Sequence, residues 1–196
     1  MKIIPPETLL SAYSQGIFPM AETRDSEDVD WYSASKRGII PINDFHISKN
    51  VLRIIRQGKF MVKINSRFRD VVKACSQRDT TWINDLILNS YDVLNQAGHA
   101  HSVEVYIEDE LVGGLYGVSL KSAFFGESMF KTEPEADKVA LYYCHKILSE
   151  NGFTLWDTQF YTDHLSQFGC IEIDADTYQE QLQKALEKEA SFTFLV

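Results

Sequence analysis

Two carboxylates and an amide stand where the chain should be apolar. Glu127 lies inside Phe124-Phe125-Gly126-Glu127-Ser128-Met129-Phe130, and Asp157 and Gln159 lie inside Leu155-Trp156-Asp157-Thr158-Gln159. A carboxylate taken out of water is costly unless a cation or hydrogen-bond donors meet it. Glu127 therefore either binds a cation or accepts backbone hydrogen bonds, the plainer version being a strand-end cap on residues 128–130. Strand alternation sets Phe125 and Glu127 on one face and Phe124 on the other, unless a bulge at Gly126 shifts the phase. Asp157 and Gln159, two apart, share a face. On an otherwise apolar strand they are either a reactive pair or a hydrogen-bonded structural pair.

Other chemistries find less support. His99-Ala100-His101 has no third ligand at metal spacing, so no metal is expected. There is no nucleophile elbow and no Cys–His signature. Cys144 falls in a helical apolar pattern and reads as core. Gly113, Gly114 and Gly117 lie in and beside one strand and lack the lysine ending of a phosphate loop. They indicate a bulge or a close approach, or else a tight hairpin.

The elements that must hold these residues follow from periodicity and punctuation. A short amphipathic helix follows Pro5-Pro6 and ends at Gly16. Phe18-Pro19-Met20 is extended or turned, residues 21–30 are a polar loop, and RGIIPI is a short strand. Ser48 caps a helix to about Gln57. A strand over 59–64, a helix over 68–75 and a longer helix over 84–97 come next. Residues 101–127 form an antiparallel three-stranded meander. Pro134 opens a helix to about Glu150. A strand over 153–159, a short helix over 162–167, a strand over 170–173 and a polar helix over 177–188 complete the chain. This order gives an α/β or α+β fold, a mixed sheet flanked by helices. A small segment over 1–60 precedes a larger domain over 61–196.

Composition sets the outer limits. The chain has 196 residues, 44% hydrophobic and 24% charged, which is ordinary for a folded domain. No segment has the length of a membrane span, and MKIIPPETLL is not a signal peptide. Three cysteines without metal spacing suit reduced thiols in the cytoplasm. The net charge of −9 argues against a nucleic-acid partner for a uniform surface. It is not uniform. Residues 36–78 hold eleven basic side chains and two acids, a local +9, which leaves −18 elsewhere. Such a protein can hold a polyanion on one side and a cation on another.

Several segments together resemble the leucyl/phenylalanyl-tRNA–protein transferase family of bacteria. They are LLSAYSQGIFPM, WYSASKRGIIP, TTWI, GHAHSVEVY, ELVGGLYGV, FFGESMF and the WDTQ–H–L–GC pattern at 156–170. They keep family order and spacing across nearly the whole chain. The resemblance implies a cytoplasmic enzyme of the N-degron pathway of protein degradation. It would move leucine or phenylalanine, with some tolerance for methionine, from aminoacyl-tRNA to the N-terminal arginine or lysine of a protein. It implies an N-acyltransferase-like (GNAT-like) domain with a shortened N-terminal lobe and no cofactor.

Carried over by position, the resemblance implies catalytic roles for Asp157 and Gln159 and a site carboxylate at Glu127. It implies an aminoacyl pocket of Leu115, Phe124, Leu141, Cys144 and Trp156. Contacts to the terminal adenosine fall on Met20, Trp82 and Tyr91. Met20 stands where some members have tryptophan, Cys144 where some have phenylalanine, Trp156 where an aliphatic residue is usual, and Lys131 where serine is expected. Arg53, Arg56 and Lys59 are the candidate tRNA phosphate contacts within the basic segment.

The chemistry needs little acceleration beyond positioning. An aminoacyl ester is already activated, and an α-amino group with a pKa of roughly 7.7–8 is partly neutral near pH 7. In this reading Gln159 holds the attacking amine and Asp157 orients Gln159 and aids proton removal. Asp157→Ala then abolishes transfer and leaves charged-tRNA binding intact. Glu127 receives the donor's amino group or orders its pocket. Backbone N–H groups near Gly113–Gly114 or Phe125–Glu127 hold the oxyanion, and Glu104 and Asp157 help attract the basic acceptor. The rival readings are an acetyl-CoA-dependent N-acetyltransferase, disfavoured by the acidic, glycine-free KTEPEADK, and a non-catalytic tRNA- or peptide-binding module.

Overall fold

Prolines and short polar side chains set the helix starts. The computed structural model describes residues 2–193. Helix α1 (Pro6–Tyr13) begins on proline, whose missing N–H costs nothing in a first turn. Gly16, at φ +74°, turns the chain into β1 (Phe18–Met20), which pairs with β2 (Asp30–Tyr32) in a two-stranded sheet. Strand β3 (Lys36–Ile39) follows, then a 3-10 turn and α2 (Lys49–Arg56). Ser48 caps α2 by accepting the Val51 N–H, as its sequence position predicts.

Next come β4 (Met61–Ile64), α3 (Phe68–Ser76) and α4 (Asp85–Gln96), the last capped by the Asn84 side chain. The meander is β5 (Ala100–Ile107), β6 (Glu110–Leu120) and β7 (Ala123–Lys131). Helix α5 (Ala136–Glu150) leads to β8 (Leu155–Gln159), α6 (Asp163–Ser166), β9 (Ile171–Asp174) and α7 (Ala175–Leu186). Helix α5 starts two residues later than Pro134 predicts, because Glu135 takes a left-handed conformation at φ +71°.

The large sheet has seven strands in the order β4-β5-β6-β7-β8-β3-β9. Strands β7 and β8 run parallel, joined by the α5 crossover that a parallel pair needs, and the other neighbours are antiparallel. One face carries Tyr13, Phe68, Ile87, Tyr91, Phe125 and Leu182, from α1, α3, α4, β7 and α7. The other carries Leu115, Phe124, Leu141, Cys144 and Trp156, with α5 laid across it. The split of Phe124 and Phe125 between faces follows strand alternation. Helix α7 is less polar than its sequence suggests, since Tyr178, Leu182 and Ala185 are buried.

One expectation changes, and the close approach and bulge expected at the β6 glycines are found. Residues 36–39 lie between β8 and β9 in the large sheet, so a boundary at residue 60 does not separate two sheets. The glycines of β6 serve packing. A Cβ on Gly113 would press on Ala136 at the start of α5, and one on Gly117 would collide with the Phe125 carbonyl across a bulge.

Candidate active site

The site lies where β7 and β8 part. Their pairing runs from Ala123–Leu155 to Phe125–Asp157 and stops there. At the same level both strands are irregular against their outer neighbours. On β7, Gly126 pairs with Gly117 and Ser128 with Tyr116, which leaves Glu127 without a partner on β6. On β8, Gln159 pairs with Gly38 and Asp157 with Ile39, which leaves out Thr158. Bulges of this kind end pairing and re-aim side chains. The bulge anticipated at Gly126 falls on the glutamate itself.

Asp157 and Arg37 form the base of the site. Asp157 is 0% exposed and Arg37 1%. Arg37 Nη2 donates to Asp157 Oδ2 at 2.7 Å and Nε to Oδ1 at 3.0 Å, while Nη1 holds the Gly16 carbonyl at 2.8 Å. The guanidinium lies between the Phe18 and Tyr178 rings, at 4.8 and 4.5 Å from their centroids. Burial pulls the Arg37 pKa down, but Asp157 more than offsets this and holds it above the usual value. Tyr178 donates its hydroxyl to Asp157 Oδ2 at 2.6 Å, and the Gln159 N–H donates to Oδ1 at 2.7 Å. Gln159 makes that last bond from a left-handed backbone, at φ +63°. Gly38 allows the close approach of the segment after Gln159, because a Cβ there would meet the Phe160 backbone.

Glu127 sits above this base, 8% exposed. Its Oε1 accepts from Tyr13 Oη at 2.6 Å and from Gln159 Nε2 at 2.9 Å. The Tyr13 hydroxyl also meets that of Tyr91. Burial lifts the Glu127 pKa from 4.5 to about 7. The hydrogen bonds from Tyr13 and Gln159 and the charge of Arg37 pull it down, and Asp157 adds repulsion. Burial and the Glu127 charge raise both tyrosines, so they remain neutral donors.

Two neighbouring cavities share Glu127 as a wall. A small one of about 80 Å³ is walled by Leu115, Phe124, Leu141 and Trp156. A larger one of about 290 Å³ is edged by Met20, Arg78, Trp82, Gln159 and Phe160. Both are lined by Glu127, Ser128, Met129, Thr158 and Leu165.

The candidate residues sort as follows. Glu127, Asp157 and Gln159 come together, as do four of the five apolar pocket residues. Cys144 is buried in the core on the same face of the sheet, and it does not line the cavity. Met20 and Trp82 line the larger cavity. Tyr91 does not: it is fully buried, edge-on to Tyr116, with its hydroxyl on Tyr13. It supports Glu127 and has no face open to a base. Glu104 is likewise fully buried, occupied by Ser102, Tyr106 and the Arg67 N–H, and offers nothing to an acceptor. Gly113 and Gly114 are paired on both sides within the sheet, which removes them as oxyanion donors.

The basic segment is also more divided than its net charge suggests. Arg37 is core. Lys36, Lys59, Arg67 and Arg69 pair with Glu172, Glu133, Asp70 and Asp92. Arg53 and Arg56 are exposed on α2. Sequence patterning does not single out Arg37, Tyr13 or Tyr178. The one hint at Arg37 is its place beside Gly38 at the start of an apolar strand.

Among the described residues no group of three His, Cys, Asp or Glu side chains could hold a metal. The site is a buried carboxylate beside two cavities, and its kind is shown by comparison with known proteins. The chain matches the family described as leucyl/phenylalanyl-tRNA protein transferase over residues 39–183, and that family's N-terminal domain over residues 3–35. The leucyl/phenylalanyl-tRNA–protein transferase of Ruegeria pomeroyi is 46% identical over 193 residues, covering 98% of this chain and 92% of that protein. One from Cereibacter sphaeroides is 48% identical over 190 residues, covering 97% and 89%. Among solved structures, FemX shares the fold at a TM-score of 0.50 and 14% identity, over 95% of this chain and 66% of that one. With both family segments matched, in order and nearly end to end, the chain belongs to the leucyl/phenylalanyl-tRNA–protein transferase family.

Proposed function

We propose that the chain transfers leucine or phenylalanine from the 3′ end of a charged tRNA to the N-terminal amine of a protein, and that Glu127 takes the amine's proton. The observation that carries this is a buried carboxylate, with its pKa raised to about 7, at the junction of a small apolar cavity and a larger aromatic-edged one. The small cavity takes the aminoacyl side chain. The larger takes the terminal adenosine between Met20 and Trp82. The ester linking the two then lies beside Glu127.

The acceptor amine attacks the ester carbonyl, forming the C–N bond. Its proton passes to Glu127, and the C–O bond to the ribose breaks. The same proton then passes from Glu127 to the departing ribose oxygen, so the carboxylate is restored. A base with a pKa near the working pH is well matched to this shuttle. Gln159 holds Glu127 and steers the amine. Asp157, with both oxygens occupied by Arg37, Tyr178 and the Gln159 N–H, fixes that geometry and takes no proton. The oxyanion is stabilised by β7 backbone at the bulge, where the strand leaves β8.

Acceptors carry an N-terminal arginine or lysine, favoured by the −18 charge outside residues 36–78. Methionine is a third, weaker donor side chain, because one methylene is worth only about 1–3 kcal/mol of discrimination. The fold reading is an N-acyltransferase (GNAT-like) sheet, supported by the mixed strand order and the single parallel pair that opens at the site. The reaction belongs in the cytoplasm, where charged tRNA is made, and marks its products for degradation.

Labelled leucine offered as leucyl-tRNA should move to a peptide with N-terminal arginine or lysine, and not to one with N-terminal aspartate. Acetyl-CoA should give no acetylated peptide. Acetylation without leucine transfer would replace this function with the acetyltransferase reading.

A further inference from the structure

A donor that places its terminal adenosine between Met20 and Trp82 must lead the rest of its chain out of the cavity, and Arg78 stands at that exit. It lines the reaction cavity, a polar cleft of about 550 Å³ between residues 22–25 and 77–81, and a groove of about 620 Å³ beside Lys131 and Asp137. Among the described residues no other lines all three.

The side chain is exposed, held, and without an ionic partner among the described residues. Its Nη2 rests on the Met129 carbonyl and on Ser128 Oγ at 3.2 Å, and its guanidinium stands 5.9 Å from the Trp82 ring. Nε and Nη1 make no hydrogen bond among the described residues. No carboxylate pairs with it there, in contrast to Lys36, Arg37, Lys59, Arg67 and Arg69. Its backbone is braced from the opposite wall. Arg24 Nη2 donates to the carbonyls of Ser76 at 2.7 Å and of Arg78 at 2.8 Å. A guanidinium fixed at one nitrogen, with free donors on its other edge, matches the paired oxygens of a phosphodiester.

Resting on the proposed transfer reaction, we infer that Arg78 binds the phosphodiester on the 5′ side of the donor's terminal adenosine. This is one local contact that sets the ester beside Glu127. It is separate from the diffuse charge of α2. Glu22, Asp25 and Asp79 lie around the cleft beyond and would repel a second phosphate, so the backbone turns away after this one.

The test compares two small donors, 3′-O-leucyl-adenosine and its 5′-monophosphate, with wild type and Arg78→Ala. The phosphorylated donor should show a KM at least about tenfold higher in the variant, the weight of one lost charge-assisted contact. The unphosphorylated donor should lose clearly less, since Arg78 edges its cavity but meets no phosphate on it. Equal KM for the phosphorylated donor would overturn the inference. So would an equal loss on both donors, which would make Arg78 only a brace for β7. With intact leucyl-tRNA, the log–log salt slope of binding should shrink by about 0.7–0.9 in the variant, and an unchanged slope would also overturn it. Arg78→Lys should recover part of the binding, because it keeps the charge and loses the fork. Failure of wild type to transfer leucine from leucyl-tRNA would instead remove the proposed function.

Discussion

Asp157 and Glu127 are both buried carboxylates, and their surroundings separate their tasks. Asp157 is saturated by a guanidinium, a hydroxyl and an N–H, while Glu127 meets only neutral donors and faces the cavities. A buried arginine left without its partner costs about 3–5 kcal/mol. Asp157→Ala should therefore lose stability as well as transfer. Its melting temperature should fall by roughly 6–20 °C at about 2–4 °C per kcal/mol. Asp157→Asn, which keeps the shape and an acceptor oxygen, should fall less. An Asp157→Ala protein that melts like wild type while failing to transfer would return Asp157 to the reaction itself. Polar residues in apolar strands made Glu127, Asp157 and Gln159 legible in the sequence. Arg37 is not legible, being one of eleven basic residues in a segment that looks like a surface patch. Tyr13 and Tyr178 look like ordinary apolar-face residues of amphipathic helices, and only tertiary folding aims their hydroxyls.

At the level of elements, local signals foretold local structure. Ser48 and Asn84 cap the helices they precede, and the meander and α5 fall close to their expected ranges. The position of β3 is not local. Four residues with weak alternation insert between β8 and β9, partners more than a hundred residues away, and no periodicity encodes that pairing. The same insertion carries Arg37 to Asp157, so the unforeseen pairing of this strand and the missed residue are one omission. Helix α2 presents Arg53 and Arg56 to solvent, and Lys59 just beyond it pairs with Glu133 at 3.3 Å. Reversal of Arg53 and Arg56 to glutamate should weaken tRNA binding and flatten its salt dependence by about 0.7–0.9 per phosphate lost. Lys59→Glu should add less, since Lys59 is already paired with Glu133. Titration of binding against salt checks both, and unchanged affinity in the double variant would make α2 a solvated face only.

For the whole molecule, the net charge of −9 joins a basic segment to an acidic remainder, and the fold distributes it further. Part of the basic segment is spent on internal pairs, one member is core, and Arg78 is set at the mouth of the site. The sheet opens once, between β7 and β8, and residues from both ends of the chain converge there: Tyr13, Gly16 and Arg37 from the first part, Glu127, Asp157, Gln159 and Tyr178 from the rest. This convergence is why Glu127 is buried enough to have a pKa of about 7. Because that pKa is raised, Glu127 is a carboxylate only above about pH 7, and the acceptor amine is neutral only above roughly 7.7–8. In the proposed reaction both must lose a proton before transfer. The most direct measurement is the pH dependence of kcat/KM for leucine transfer, in wild type and Glu127→Gln. In wild type, the log of the rate should rise with a slope approaching 2 below pH 7 and 1 between 7 and 8. In the variant the slope should be 1 throughout, with the rate lowered by about 10²–10⁴. Equal rates and the same profile in the two proteins would contradict Glu127 as the proton acceptor.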